Sequence, residues 1–230
     1  MPARLSRPAG QGTERPLSRG IGALELALGA AIVIGHNVFH VLPNEVPILC
    51  VLGLVSMRLR NGSFAALGFR RPASWTRIVL IALGAAALRI VLGDFVIDPL
   101  TALVWPPTAA PAGVESIAGD WRTALMYLGV VWTFAAFGEE IGYRGYLMNR
   151  AADIGGRTPS AWWIAVVVSA ILFGLGHYYK GPSGIVDSGV AGLILGAAYL
   201  LSGRNLWTTV LAHGLIDTFA VAGLYFGWDS

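Results

Sequence analysis

The stretch A-W-W-I-A-V-V-V-S-A-I-L-F-G-L-G-H-Y-Y, residues 161–179, contains no Asp, Glu, Lys or Arg and decides the fold class. About 20 predominantly apolar residues is the length that a helix needs to cross the hydrocarbon core of a bilayer. Three similar runs surround this stretch, at 122–146, 185–202 and 206–227, with short connections between them. The C-terminal half therefore predicts four consecutive transmembrane helices.

The composition of the whole chain agrees with this interpretation. Apolar residues make up 55% of the 230 residues and charged residues only 13%, whereas soluble domains carry about 25% charged residues. The single cysteine, Cys50, excludes an internal disulfide and a thiolate metal cage. Fifteen of the sixteen basic residues are arginines clustered in a few connections, which in a membrane protein indicates topology rather than nucleic-acid binding.

The N-terminal half predicts three further spans of less regular length, at 21–42, 46–57 and 78–100. The second of these is short and suits a thin or re-entrant span, after a predicted turn at 43–47. The basic connection over 58–77 contains three apolar side chains that favour a short interfacial helix: Phe64, Leu67 and Phe69.

We therefore predict an all-α, polytopic transmembrane bundle of about seven spans. Its parts are a basic disordered tail at 1–20, N-terminal helices with the interfacial segment at 21–121, and a four-helix core at 122–228. If the spans alternate, nearly all arginine-bearing connections fall on one side, so the N-terminus is expected in the cytoplasm. We expect a multi-pass protein of a cell membrane, and the Ala/Gly/Arg-rich composition favours the bacterial inner membrane.

Ionisable residues occur within these apolar runs, where each costs about 2.5–3.5 kcal/mol on insertion scales and commonly marks function. Three pairs are spaced four residues apart and so share a helix face: Glu140 and Arg144, Phe173 and His177, and His213 and Asp217. Glu139 directly precedes the first pair. Because polar groups in membrane helices face the bundle interior, we expect the three faces to converge.

Other polar residues favour structural roles. His36 and His40 are also four apart, but without an acidic neighbour on their face we interpret them as polar residues at the outer end of the first span. Arg89 needs a partner, either Asp94 or a residue of another helix. Lys180 and Asp187 flank an outer turn and receive no chemical role. Glycines beside the polar motifs suit close helix packing: Gly138, Gly142, Gly145, Gly174, Gly176 and Gly214.

The strings E-E-I-G-Y-R-G at 139–145, F-G-L-G-H at 173–177 and H-G-L-I-D at 213–217 together resemble the CPBP family. These are the CAAX-protease and bacteriocin-processing (Abi) membrane proteins, whose pattern is E-E-x-x-x-R, then F-x-x-x-H, then H-x-x-x-N or a related residue. The resemblance covers 122–227 and implies an intramembrane endopeptidase acting on membrane-associated or lipid-modified peptides.

The resemblance also implies roles for individual residues. Glu139 would be the general base that, with His177, activates a water for attack on a peptide carbonyl. His213 and position 217 would face the developing oxyanion, and Glu140 with Arg144 would be a supporting ion pair. The sequence departs from the pattern at Asp217, because a carboxylate donates to an oxyanion only when protonated. Asp217 would instead suit metal ligation or orientation of His213.

The metal content and the class of function stay open at this point. Zn²⁺ could be held by His177 and His213 with Glu139 or Asp217, leaving a position for water, while a metal-free glutamate mechanism uses the same residues. The expected partners are membrane lipids and a peptide or protein substrate entering from the membrane, without nucleic acid. The alternatives to a protease are a non-catalytic scaffold or immunity-type protein and, with less support, a proton-coupled transporter.

Overall fold

The computed structural model describes residues 19–105 and 114–228, which are helical and contain no strand. Within this described part, seven helices follow one another: α1 Arg19–Asn37, α2 Glu45–Asn61, α3 Trp75–Ala102, α4 Trp121–Ile154, α5 Pro159–Leu175, α6 Gly181–Leu201 and α7 Leu206–Phe226. The predicted class, a helical membrane bundle, is confirmed. Residues 1–18 of the predicted disordered tail lie outside the described residues.

Five helices are long and apolar enough to cross a membrane: α1, α3, α4, α6 and α7. Helices α2 and α5 are shorter, at 17 residues each. Helix α2 begins at Glu45, inside the stretch that the sequence predicts as a turn. It can begin there because the side chain of Asn44 accepts the backbone N–H of Val46, and a proline as early as Pro47 is tolerated in a first turn.

Helix α4 carries the acidic pair and is the longest of the seven described helices, with 34 residues. It begins at Asp120, whose carboxylate accepts the Thr123 hydroxyl and a backbone N–H, and these hydrogen bonds lower the pKa of Asp120. Its centre is a π-helix, with hydrogen bonds between residues five apart, over Val131–Glu139 and Ile141–Leu147. Such segments are rare and frequently occur at functional sites.

Glycines let the C-terminal helices approach closely. A Cβ atom on Gly214 of α7 would lie 2.6 Å from the Trp132 ring of α4. A Cβ atom on Gly174 of α5 would lie 2.6 Å from the carbonyl oxygen of Ile185 on α6. Since real Cβ contacts are essentially never this short, only glycine fits at these two positions without a shift, as the sequence predicts.

The connection between α2 and α3 packs largely on the bundle. Leu67 is fully buried, and the Phe69 ring packs against Phe137 and Trp207, with centroids 6.1 and 5.3 Å away. Of the three side chains that the sequence assigns to an interfacial helix, only Phe64 is exposed. The Phe64–Leu67 turn is therefore held by apolar contacts with protein.

Ion pairs join several helices. Arg89 of α3 pairs with Asp187 of α6, with 2.5 Å between Nη2 and Oδ2. The expectation that Arg89 needs a partner is confirmed, and the partner comes from another helix rather than from Asp94. Asp187, for which the sequence predicts no chemical role, thus has a structural one. Glu25 of α1 similarly accepts from Arg60 of α2 at 2.6 Å.

Candidate functional site

The ring of Phe173, near the end of α5, lies at the centre of a polar site. The imidazoles of His177 and of His213 on α7 lie against it, with ring centroids 4.8 and 5.9 Å away. The guanidinium carbon of Arg144 on α4 lies 4.4 Å from the same centroid. The three polar faces that the sequence predicts to converge therefore meet around one buried aromatic side chain.

Glu140 is completely buried and contacts two cationic or potentially cationic groups. Its Oε1 accepts from Nη1 of Arg144 at 2.7 Å and contacts Nδ1 of His213 at 2.9 Å. The expected pair of Glu140 and Arg144 is present. The contact with His213, which the sequence does not predict, joins α4 to α7. Together the two contacts offset the cost of removing this carboxylate from water.

Both ring nitrogens of His213 face carboxylates. Nδ1 contacts Glu140, and Nε2 lies 3.5 Å from Oδ2 of Asp217, one helical turn further along α7. The shorter contact shows that Glu140 holds the orientation of the imidazole. Asp217, which the sequence suggests as a possible orienting residue, lies beside the second ring nitrogen.

Glu139 takes no part in this hydrogen-bonded group. Its Oε2 is buried and has no hydrogen-bond partner among the described residues. His213, Asp217 and Arg144 lie close enough to interact with it electrostatically. Leaving a buried acceptor unpaired costs roughly 1–3 kcal/mol, so such an atom in a native structure calls for an explanation. The free lone pairs of Glu139 can accept a hydrogen bond from a water or a substrate.

His177 is oriented by the end of its own helix. Its Nδ1 lies 2.9 Å from the carbonyl oxygen of Phe173. A carbonyl oxygen can only accept, so Nδ1 carries the hydrogen and Nε2 of the neutral ring carries a lone pair. His177 also interacts electrostatically with His213. The two histidines therefore belong to one site, although they do not hydrogen-bond to each other.

The described residues do not form a three-ligand metal site. Within 19–105 and 114–228, no three His, Cys, Asp or Glu side chains are grouped closely enough to hold an ion. Catalytic zinc is commonly held by three protein ligands. The predicted set of His177 and His213 with Glu139 or Asp217 is thus not assembled around one point, and Zn²⁺ stays a prediction from the sequence.

A second polar group near the site comes from the N-terminal half of the chain. The Tyr143 hydroxyl of α4 donates to Oε1 of Glu45 on α2, at 3.4 Å, and Oε2 of Glu45 lies 3.4 Å from Nε2 of His36 on α1. The sequence predicts no acidic residue on the face of His36 within its own helix, and the acidic neighbour that the structure shows, Glu45, comes from another helix. The sequence signal for Glu45 is only a charge at the start of an apolar run.

The polar site lies within a segment that is similar to a known protein family. Residues 121–219 match the family described as Type II CAAX prenyl endopeptidase Rce1-like, while no curated protein and no solved structure matches the chain. The matched segment contains all six predicted site residues: Glu139, Glu140, Arg144, His177, His213 and Asp217. The resemblance to the CPBP family is thereby confirmed over these residues, since the segment from α4 into α7 matches the Rce1-like family.

Proposed function

We propose that this protein is an intramembrane endopeptidase that hydrolyses peptide bonds of membrane-associated substrates. The observation that carries the proposal is the meeting of both histidines and Arg144 around Phe173, beside a glutamate with an unpaired buried oxygen. The family match over residues 121–219 supports a peptide hydrolase rather than another use of the same groups. A lipid-modified peptide tail is the substrate class that the family description suggests.

In the proposed first step, a water lies between Glu139 and His177. Nε2 of His177 accepts one hydrogen bond from this water, and Oε2 of Glu139 takes the other proton as the water oxygen attacks the peptide carbonyl. The carbonyl π bond opens, and the oxygen becomes an oxyanion on a tetrahedral carbon. Both protein atoms are available for this use, because neither has a hydrogen-bond partner among the described residues.

The oxyanion would face His213. With Nδ1 held by Glu140, a protonated His213 can donate its Nε2–H to the oxyanion, and a donor of this kind is worth about 3 kcal/mol. Asp217 lies beside that nitrogen and stabilises the charged ring. The proton on Glu139 then passes to the leaving amide nitrogen and the C–N bond breaks; the new carboxyl group loses its proton to the amine, so that a carboxylate and an ammonium leave. Water and peptide are the only reactants consumed.

The experiment compares variants on a quenched peptide with an apolar anchor, with and without a prenyl group on its C-terminal cysteine. We expect Glu139→Gln, which keeps the size of the side chain and removes the base, to lower kcat by about 10²–10⁴-fold. His213→Gln should also be strongly impaired. Asp94→Asn is the matched control, since Asp94 is an exposed membrane acid with no hydrogen bond or ion pair among the described residues.

Undiminished cleavage by Glu139→Gln and His213→Gln would refute the proposed mechanism. If no peptide is cleaved, but Glu139→Gln leaves a cellular phenotype intact, the protein is instead a binding or scaffolding partner. Metal analysis of the purified protein, with chelation and metal re-addition in the same assay, separates a metal-dependent reaction from one that uses protein groups alone.

A further inference from the structure

Glu45, at the first position of α2, lies outside the family match and is nearly fully buried, at 5% exposure. Each oxygen of its carboxylate faces a different helix: Oε1 accepts from Tyr143 of α4 and Oε2 faces His36 of α1. Both distances are 3.4 Å, which is long for a hydrogen bond, so each contact alone is weak. Together they give this buried acid a partner on each side.

The hydrogen positions around His36 follow from its other contact. Nδ1 of His36 lies 3.0 Å from the carbonyl oxygen of Leu42, so Nδ1 must be the donor there. Nε2 of a neutral His36 would then turn a lone pair toward the Glu45 carboxylate. Oε2 is the oxygen of Glu45 that faces this ring nitrogen, at 3.4 Å. Oε1, the other oxygen, is the acceptor for the Tyr143 hydroxyl.

Tyr143 transmits this arrangement to the polar site. Its ring packs edge-on against Phe173, with centroids 5.0 Å apart. The backbone carbonyl oxygen of Phe173 accepts the hydrogen bond from Nδ1 of His177. Its hydroxyl occupies the place where a Cβ atom on Gly176 would lie, directly before His177. Tyr143 is therefore wedged between the start of α2 and the chain turn that bears the histidine.

We infer that Glu45, placed between His36 and Tyr143, is a positioning residue that acts through the Tyr143 hydroxyl to fix His177. This inference rests on the proposed function for its catalytic consequence, although its structural part does not. The competing explanation is that Glu45 merely favours the N-terminus of α2, where an acid interacts well with the helix dipole. In that case Glu45 would affect stability without reaching His177.

Nuclear magnetic resonance of the four histidine rings, labelled with ¹³C and ¹⁵N, tests the inference without any substrate. Glu45→Ala should shift the His177 ring signals, and Tyr143→Phe, which removes only the hydroxyl, should shift them in the same way. Glu45→Gln should leave them near the wild-type positions, because its amide oxygen can accept from Tyr143 while its NH₂ group donates to Nε2 of His36. Asp94→Ala is the control for loss of a carboxylate.

A double variant, Tyr143→Phe with Glu45→Ala, distinguishes an effect transmitted through the Tyr143 hydroxyl from a direct effect of the Glu45 charge on His177. In the Tyr143→Phe background, Glu45→Ala should add almost no further shift at His177. A shift that persists undiminished would mean that Glu45 acts on His177 without the hydroxyl, and the inference would be overturned. It would equally be overturned if Glu45→Ala and Tyr143→Phe both leave His177 unmoved. Should Glu45→Ala fail to fold, the isosteric Tyr143→Phe still decides the second outcome.

Peptide cleavage tests whether the position of His177 matters for the reaction. Misplacement of His177 should lower kcat by roughly 10- to 100-fold in Glu45→Ala and Tyr143→Phe with KM almost unchanged, and Glu45→Gln should recover most of the rate. If the wild-type protein cleaves no peptide, the proposed function fails while the histidine signals still decide the role of Glu45. If cleavage is normal in both variants although His177 has moved, the positioning role in the reaction is refuted.

Discussion

Replacement of Arg144 by methionine tests how the site is held together. Glu140 is 0% exposed and Arg144 only 1%, and their ion pair is 2.7 Å long. Methionine fills much of the same space but leaves the carboxylate with His213 alone. Removing one member of a buried pair costs roughly 3–5 kcal/mol, since the remaining charge is left uncompensated. The contact of the guanidinium with the Phe173 ring, worth about 1–2 kcal/mol when desolvated, is lost in the same change.

The measurement is the free energy of unfolding in mixed micelles, for Arg144→Met and for Arg144→Met combined with Glu140→Gln. We expect the single variant to lose about 3–5 kcal/mol and the double variant to regain most of that loss, because it leaves no buried charge unpaired. Peptide cleavage should not return, since His213 has lost the carboxylate that orients it. A loss below about 1 kcal/mol, or a double variant no more stable than the single one, would refute this account of the pair.

The remaining predictions concern helix packing. Gly214→Ala should destabilise the protein by about 1–3 kcal/mol because the new methyl group overlaps the Trp132 ring, whereas Gly84→Ala, with open space around it, should not; equal effects in thermal unfolding would contradict this. Arg89→Met should cost up to roughly 3–5 kcal/mol by leaving Asp187 unpaired, and adding Asp187→Asn should recover much of it; a neutral single variant in the same unfolding assay would contradict the pairing.

Most of the fold follows from the sequence, because lipid leaves few options for an apolar chain. Without water to satisfy the backbone, long apolar runs must become helices, so the positions of α1, α3, α6 and α7 are predictable from length and composition. The start of α2 is not predictable in this way. It depends on a local cap at Asn44, which competes with the turn signal of the flanking prolines. The end of α4 is also local, since Gly156 follows it with a positive φ and the backbone N–H of Arg157 donates to the carbonyl oxygen of Ala152.

The site is predictable where its contacts lie within one helix. The pairs Glu140–Arg144 and His213–Asp217 follow from helical spacing, and both are present. Contacts between helices are not predictable from spacing, because spacing within one helix does not show which faces of two helices meet. The contact of Glu140 with His213 joins residues 73 positions apart.

The adjacent residues Glu139 and Glu140 have different contacts, and the packing of α4 against α7 causes this difference. Neighbouring residues on a helix point in different directions, so only one of the two carboxylates contacts His213 of α7 directly. Glu140 meets Arg144 and His213 and becomes a fixed charge in the packing. Glu139 meets neither in a hydrogen bond, although Oε2 of each glutamate is buried without a hydrogen-bond partner among the described residues. A general base must be free to take a proton, whereas a supporting carboxylate must be prevented from doing so. The rotation of α4 against α7 satisfies both requirements with the same residue type at consecutive positions.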